Sequence, residues 1–88
     1  MEIKKAAQAG TYESNDVYVQ LFENPNHTID IQLTSVVIKQ FGEQIHQVIQ
    51  KTLKQFDITS CIIVVEDKGA LDHVLAARIE SAILRSLS

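Results

Sequence analysis

The 88-residue sequence predicts a small α+β domain: a mixed or antiparallel sheet with two amphipathic helices packed on one face, in the order (β)ββαβα. Three observations carry this expectation. Residues 17–22 and 29–33 alternate apolar and polar side chains, as half-buried strands do. Residues 58–67, ITSCIIVVED, are dense in β-branched residues. Two longer segments repeat their apolar residues every three or four positions, the period of a helix with one buried face.

The elements follow in chain order. Residues 3–9, IKKAAQA, fit either a short strand or an ordered arm. GTYESND carries the turn formers Gly10, Ser14, Asn15 and Asp16 and reads as an exposed loop. In VYVQLF, Val17, Val19 and Leu21 point one way and Tyr18, Gln20 and Phe22 the other. ENPNHT is a turn, and IDIQL places Ile29, Ile31 and Leu33 inward, so the two runs are expected to pair as an antiparallel hairpin. A helix is expected from about Thr34 to Phe56, with Val37, Phe41, Ile45, Val48, Thr52 and Phe56 on its apolar stripe and Ile38, Ile49 and Leu53 widening it. Thr34 or Ser35 is placed to cap it. Gly42 inside it costs about 1 kcal/mol relative to alanine, unless a neighbour approaches closely there. The strand 58–67 is expected to be covered on both faces or nearly so. After the break at Asp67-Lys68-Gly69, a second helix buries Leu71, Val74, Leu75, Ile79, Ala82 and Ile83.

Length and composition narrow the function classes. A chain of this size forms one domain, residues 1–88, around one core. Its hydrophobic fraction of 45% suits a folded protein, and its formal net charge of −3 argues against a nucleic-acid module. The only cysteine, Cys61, lies in the most apolar stretch and reads as a buried core thiol. With no disulfide possible within the chain and no apolar leader in MEIKKAAQAG, a cytoplasmic protein with no membrane role is expected.

Conventional chemistry is sparse. His27, His46 and His73 lack metal-site spacing with one another or with Cys61, so no metal site and no catalytic residue is expected. Glu66 and Asp67 read as solvated or helix-capping acids. Lys68 and the amides after Gly69 could receive a phosphate at the start of the second helix. Ser14 stands on an exposed loop with no base beside it, so it is no triad nucleophile. Pattern alone favours a non-enzymatic α+β interaction domain with no covalent group.

Three stretches change that balance: AAQAGTYESNDVYVQL, SVVIKQFGEQI and VEDKGALDHVLAARIESAI. Together, in order and spacing, they resemble the citrate lyase acyl carrier proteins, the gamma chains of that complex, over nearly the whole length. The family's A-G-T-x-E-S-x-D motif matches Gly10, Thr11, Glu13, Ser14 and Asp16, and its D-K-G-A-L-D run matches Asp67 to Asp72. His73 and Ala76 depart from the family pattern. The resemblance implies that Ser14 carries 2'-(5''-triphosphoribosyl)-3'-dephospho-CoA through a phosphodiester, its terminal thiol bearing acetyl or citryl groups. It also implies four partners: an alpha chain acting as acyl transferase, a beta chain acting as citryl lyase, a prosthetic-group transferase and an acetylating ligase. The chain itself would then be a non-catalytic carrier subunit. The carrier of malonate decarboxylase is similar and is the nearest alternative.

Overall fold

The computed structural model describes residues 1–88. Its strands are β1 (Ala7–Gly10), β2 (Val17–Phe22), β3 (Ile29–Ser35) and β4 (Cys61–Asp67), and its helices are α1 (Ile38–Gln55) and α2 (Asp72–Leu87). The expected element order and α+β class hold. The four strands form one sheet in the order β1-β2-β4-β3.

The expected hairpin between the second and third strands does not form. β4 lies between them, antiparallel to β2 and parallel to β3. The reason lies in β4 itself. Cys61, Ile63 and Val65 are fully buried under the helices, and Ile62 and Val64 are half-buried on the opposite face. A strand this apolar on both faces gains most from the centre of a sheet, whereas a β2–β3 hairpin would leave it at an edge. Residues 23–28 instead arch across the start of β4. Asn24 is buried there, its Nδ2 donates to Thr28 O at 2.9 Å, and Cys61 N donates to Thr28 O at 3.0 Å.

The first helix starts later than its apolar period suggests. Thr34 and Ser35 stay in β3, paired with Glu66 and Asp67. Thr34 therefore caps nothing. Ser35 Oγ accepts from Val37 N at 3.1 Å and donates to Asp67 Oδ2 at 2.8 Å, so it braces the entry to α1 without being its N-cap. The ambiguous N-terminal segment resolves into two parts. Ile3 is fully buried and its N–H donates to Ser60 O, while Ala7–Gly10 pairs with β2.

Both helices cover the same face of the sheet. α2 packs over β1 and β2, and α1 packs against α2 and over β3. Ile45, Ile49 and Leu53 of α1 and Leu75, Ile79 and Ile83 of α2 meet Val17, Val19, Leu21, Ile63 and Val65 in one core. Each such side chain contributes about 1.5–3 kcal/mol on burial. The stripes are shorter than their sequence period. Phe41 remains 50% exposed and Leu71 66% exposed, and both line a cleft between the starts of the two helices.

Candidate functional site

The loop between β1 and β2 is built around Gly10. Its φ of +89° lies in the left-handed region, and a Cβ there would stand 1.8 Å from Val17 O. Only glycine lets the chain turn this tightly against β2. Thr11 Oγ1 then donates to Asp16 Oδ2 at 2.6 Å and accepts from Glu13 N at 3.2 Å. Asp16 N donates to Glu13 O at 3.1 Å, closing a four-residue turn with Ser14 and Asn15 at its tip. Asn15 takes the left-handed conformation, φ 66°, that asparagine tolerates best among the larger residues. Ser14 is exposed, and none of these turn bonds uses its hydroxyl.

Two distant segments fix this turn to the body of the domain. Arg78 of α2 grips Asp16 with a fork, Nε to Oδ1 at 3.1 Å and Nη2 to Oδ2 at 2.9 Å. Hydrogen bonds from Arg78 and then Thr11 hold the Asp16 carboxyl well below the usual carboxylate range, at about 2. On the other side, Asn15 N donates to Lys68 O at 2.8 Å and Lys68 N donates to Asp16 O at 2.9 Å. The fold thus brings together the serine motif and the Asp67–Asp72 run, which are far apart in sequence.

Asp67 organises the second of these segments. It is only 2% exposed, which corrects the expectation of a solvated acid. Its Oδ2 accepts from Ser35 Oγ and from Gly69 N at 3.2 Å, and its Oδ1 accepts from Ala70 N at 3.0 Å. The expected phosphate seat is narrowed. Of the amides after Gly69, that of Ala70 already serves Asp67, as does that of Gly69 itself, and α2 begins only at Asp72.

The remaining surroundings are aromatic and acidic. The Tyr12 and Tyr18 rings lie 4.6 Å apart, and Tyr18 Oη donates to Gln8 Oε1. Desolvation first, then the Glu66 charge, pushes the Tyr12 hydroxyl up. The histidines are dispersed: His27 and His73 are exposed on a turn and on α2, and His46 is half-buried on α1. Cys61 is fully buried in β4, and burial pushes its thiol up to about 11. Sequence reasoning missed Arg78 and the buried role of Asp67. Arg78 sits beside Ile79 at the border of an apolar stripe, and nothing in its spacing marks Asp16 as its partner.

A family described as the malonate decarboxylase delta subunit matches residues 4–86. Similar curated proteins include the citrate lyase acyl carrier protein of Oenococcus oeni, 51% identical over all of this chain and 90% of the relative. Those of Haemophilus ducreyi and Clostridium perfringens are each 49% identical over 98% of this chain and cover 88% and 85% of the relatives. The chain belongs to the citrate lyase acyl carrier protein family. Its members are named as acyl carriers, which makes this a non-catalytic carrier subunit, as the sequence implied. A chain in a Pseudomonas malonate decarboxylase hetero-tetramer, solved in complex with malonate, shares the carrier fold with a TM-score of 0.77 at 20% identity, covering 96% of this chain and 86% of that one.

The residues around Ser14 fit a tethered group better than an embedded one. The hydroxyl stands free at a turn tip, and the amides of Gly69 and Ala70 are taken by Asp67. Glu13 and Glu66 offer an anionic arm no counter-charge, and Lys68 is only half-exposed.

Proposed function

We propose that this chain is the acyl carrier subunit of a citrate lyase and that Ser14 is its attachment point for 2'-(5''-triphosphoribosyl)-3'-dephospho-CoA. One observation carries the assignment: Ser14 is an exposed hydroxyl at the tip of a turn that is braced by Thr11, Asp16, Arg78 and Lys68 but has no base of its own. An acceptor serine needs no triad, because the transferase that modifies it supplies the base. What it needs is access and a fixed backbone, and the braced turn provides both.

When attached, the group supplies a terminal thiol that bears the acyl unit as a thioester. The chain's own part is mechanical. Ser14 Oγ holds the group by a phosphodiester, and the turn projects it from the end of the sheet. Tethering keeps the thioester at high effective concentration near successive active sites. The partners in this reading are the alpha chain that exchanges acetyl for citryl, the beta chain that releases oxaloacetate, the prosthetic-group transferase and an acetylating ligase. No helix is long and apolar enough to cross a membrane, and we place the carrier in the cytoplasm.

A carrier for malonate decarboxylase is the second reading, supported by the family description and the shared fold. Identities of 49–51% to carriers named for citrate lyase favour the first. Co-production with the transferase, followed by intact mass and peptide mapping, tests the attachment. The expected result is a dephospho-CoA-type adduct on the Ser14 peptide that vanishes in Ser14→Ala. An unmodified wild-type chain, beside a transferase active on another carrier, would overturn the assignment. Assaying the acetylated chain with citrate or malonate and each set of partner subunits separates the two readings.

A further inference from the structure

The two edges of the sheet are treated differently. α2 reaches over the outer side of β1, where Arg85 Nη1 donates to Gln8 O at 2.7 Å and Ser86 Oγ to Lys5 O at 2.6 Å. β3, at the opposite edge, has only β4 as a neighbour. Cys61 N donates to Thr28 O and Val36 N to Asp67 O, which sets the alternation along the strand. Asp30, Gln32 and Thr34 turn their backbone groups toward β4. The N–H and C=O groups of Ile29, Ile31, Leu33 and Ser35 therefore face outward. Seven residues is long for an edge strand, and β3 has no proline or lysine to blunt it. Beside this edge, between β3 and α1, runs a cleft of about 650 Å³ lined by Ile29, Ile31, His46, Gln50, Leu53 and Lys54. Ile29 is 41% exposed at its mouth.

We propose that β3 is the site at which the carrier is anchored in its complex, by an extended segment of a partner subunit that adds a fifth strand to the sheet. A row of unpaired backbone groups specifies a strand as its complement, and the cleft takes the segment's alternate apolar side chains. The site suits a carrier. Ser14 sits in the turn joining β1 and β2, and β4 separates those strands from β3, so a strand added to the outer edge of β3 lies on the far side of the sheet from the attachment turn. The inference rests on the carrier reading above.

The test is amide-resolved hydrogen exchange on the loaded carrier, free and assembled with its lyase subunits, quenched and read on the released chain. In the free carrier the amides of Asp30, Gln32 and Thr34 are slow and those of Ile29, Ile31, Leu33 and Ser35 fast. Assembly slows the second set by about 100-fold or more. Outward amides that exchange equally fast in the complex overturn the proposal. So does protection already present in the free carrier that grows with its concentration, because a second copy then occupies the edge. Ile29→Lys at the cleft mouth supplies an independent check. It is expected to weaken incorporation by about tenfold while Ser14 loading, read by intact mass, stays complete. Undiminished incorporation of that variant counts against the cleft. Because loading is read separately, a loaded chain with an unprotected edge sinks the anchor and leaves the carrier assignment standing.

Discussion

Four residues around Ser14 explain why its motif has the composition it has. Gly10 supplies a backbone angle and a clearance that no other residue can match. Gly10→Ala is expected to cost about 2–3 kcal/mol, from positive φ plus collision with the Val17 carbonyl, seen as a lowered urea midpoint. Thr11 and Asp16 are the turn's internal brace, and Arg78 is its external one. Asp16 has a folded-state value of about 2, below its ordinary unfolded value of about 3.9. A lowered value means that the charged form stabilises the fold. That contribution is complete above about pH 5 and is lost progressively as the pH falls through 2 toward about 1. Urea titrations of the wild type and Asp16→Asn should therefore differ by a constant amount above about pH 5, narrow as the pH falls and converge below pH 2. A gap as wide at pH 2 as at pH 5 would mean that the fork with Arg78 is not its source. The motif could be read as an exposed turn from sequence, because glycine, serine and asparagine report turn geometry locally, whereas the acceptor role of Ser14 came only from the family resemblance. Arg78 could not be read from sequence, because a residue 62 positions from Asp16 carries no local trace of the contact.

Among the elements, periodicity and β-branched density located both helices and the last three strands, left β1 open between a strand and an arm, and did not decide which strands touch. Two alternating runs joined by a turn suggested a hairpin, since that inference uses only local sequence. The observed pairing depends on what β4 needs on both faces, which emerges only when the whole sheet is assembled. The helix stripes were legible in their middle turns, at Ile45, Ile49, Leu75 and Ile79, and failed at Phe41 and Leu71, which face a cleft between the helix starts and not the core. Gly42 gives a direct test at this scale. A Cβ there would meet only the end of the Ile38 side chain, at 3.0 Å, and Ile38 is 46% exposed and free to rotate. Gly42→Ala should therefore recover about 0.5–1 kcal/mol of helix propensity, read as a raised thermal midpoint. An unchanged or lowered midpoint would show that Ile38 cannot yield.

At the level of the whole molecule, the core conceals the chain's only native thiol. Cys61 is fully buried and its thiol is raised to about 11, so at pH 8 only about one in a thousand would be thiolate. A disulfide reagent should find no fast thiol in the unloaded folded carrier, one after unfolding, and one fast thiol in the loaded carrier. A rapidly reacting unloaded chain would contradict the burial of Cys61. The reading of this cysteine as buried was available from sequence because it opens the apolar run Ile62-Ile63-Val64-Val65. The topology has a further consequence, for synthesis. The central strand is fourth in the chain, and the turn that presents Ser14 is held by Lys68 and Arg78. A nascent chain emerging from the ribosome exposes Ser14 early but cannot give it this shape until residue 78 has followed. An enzyme that recognises the turn by its shape would meet its substrate only on a finished, folded chain, and loading at Ser14, as proposed, would then mark completed folding.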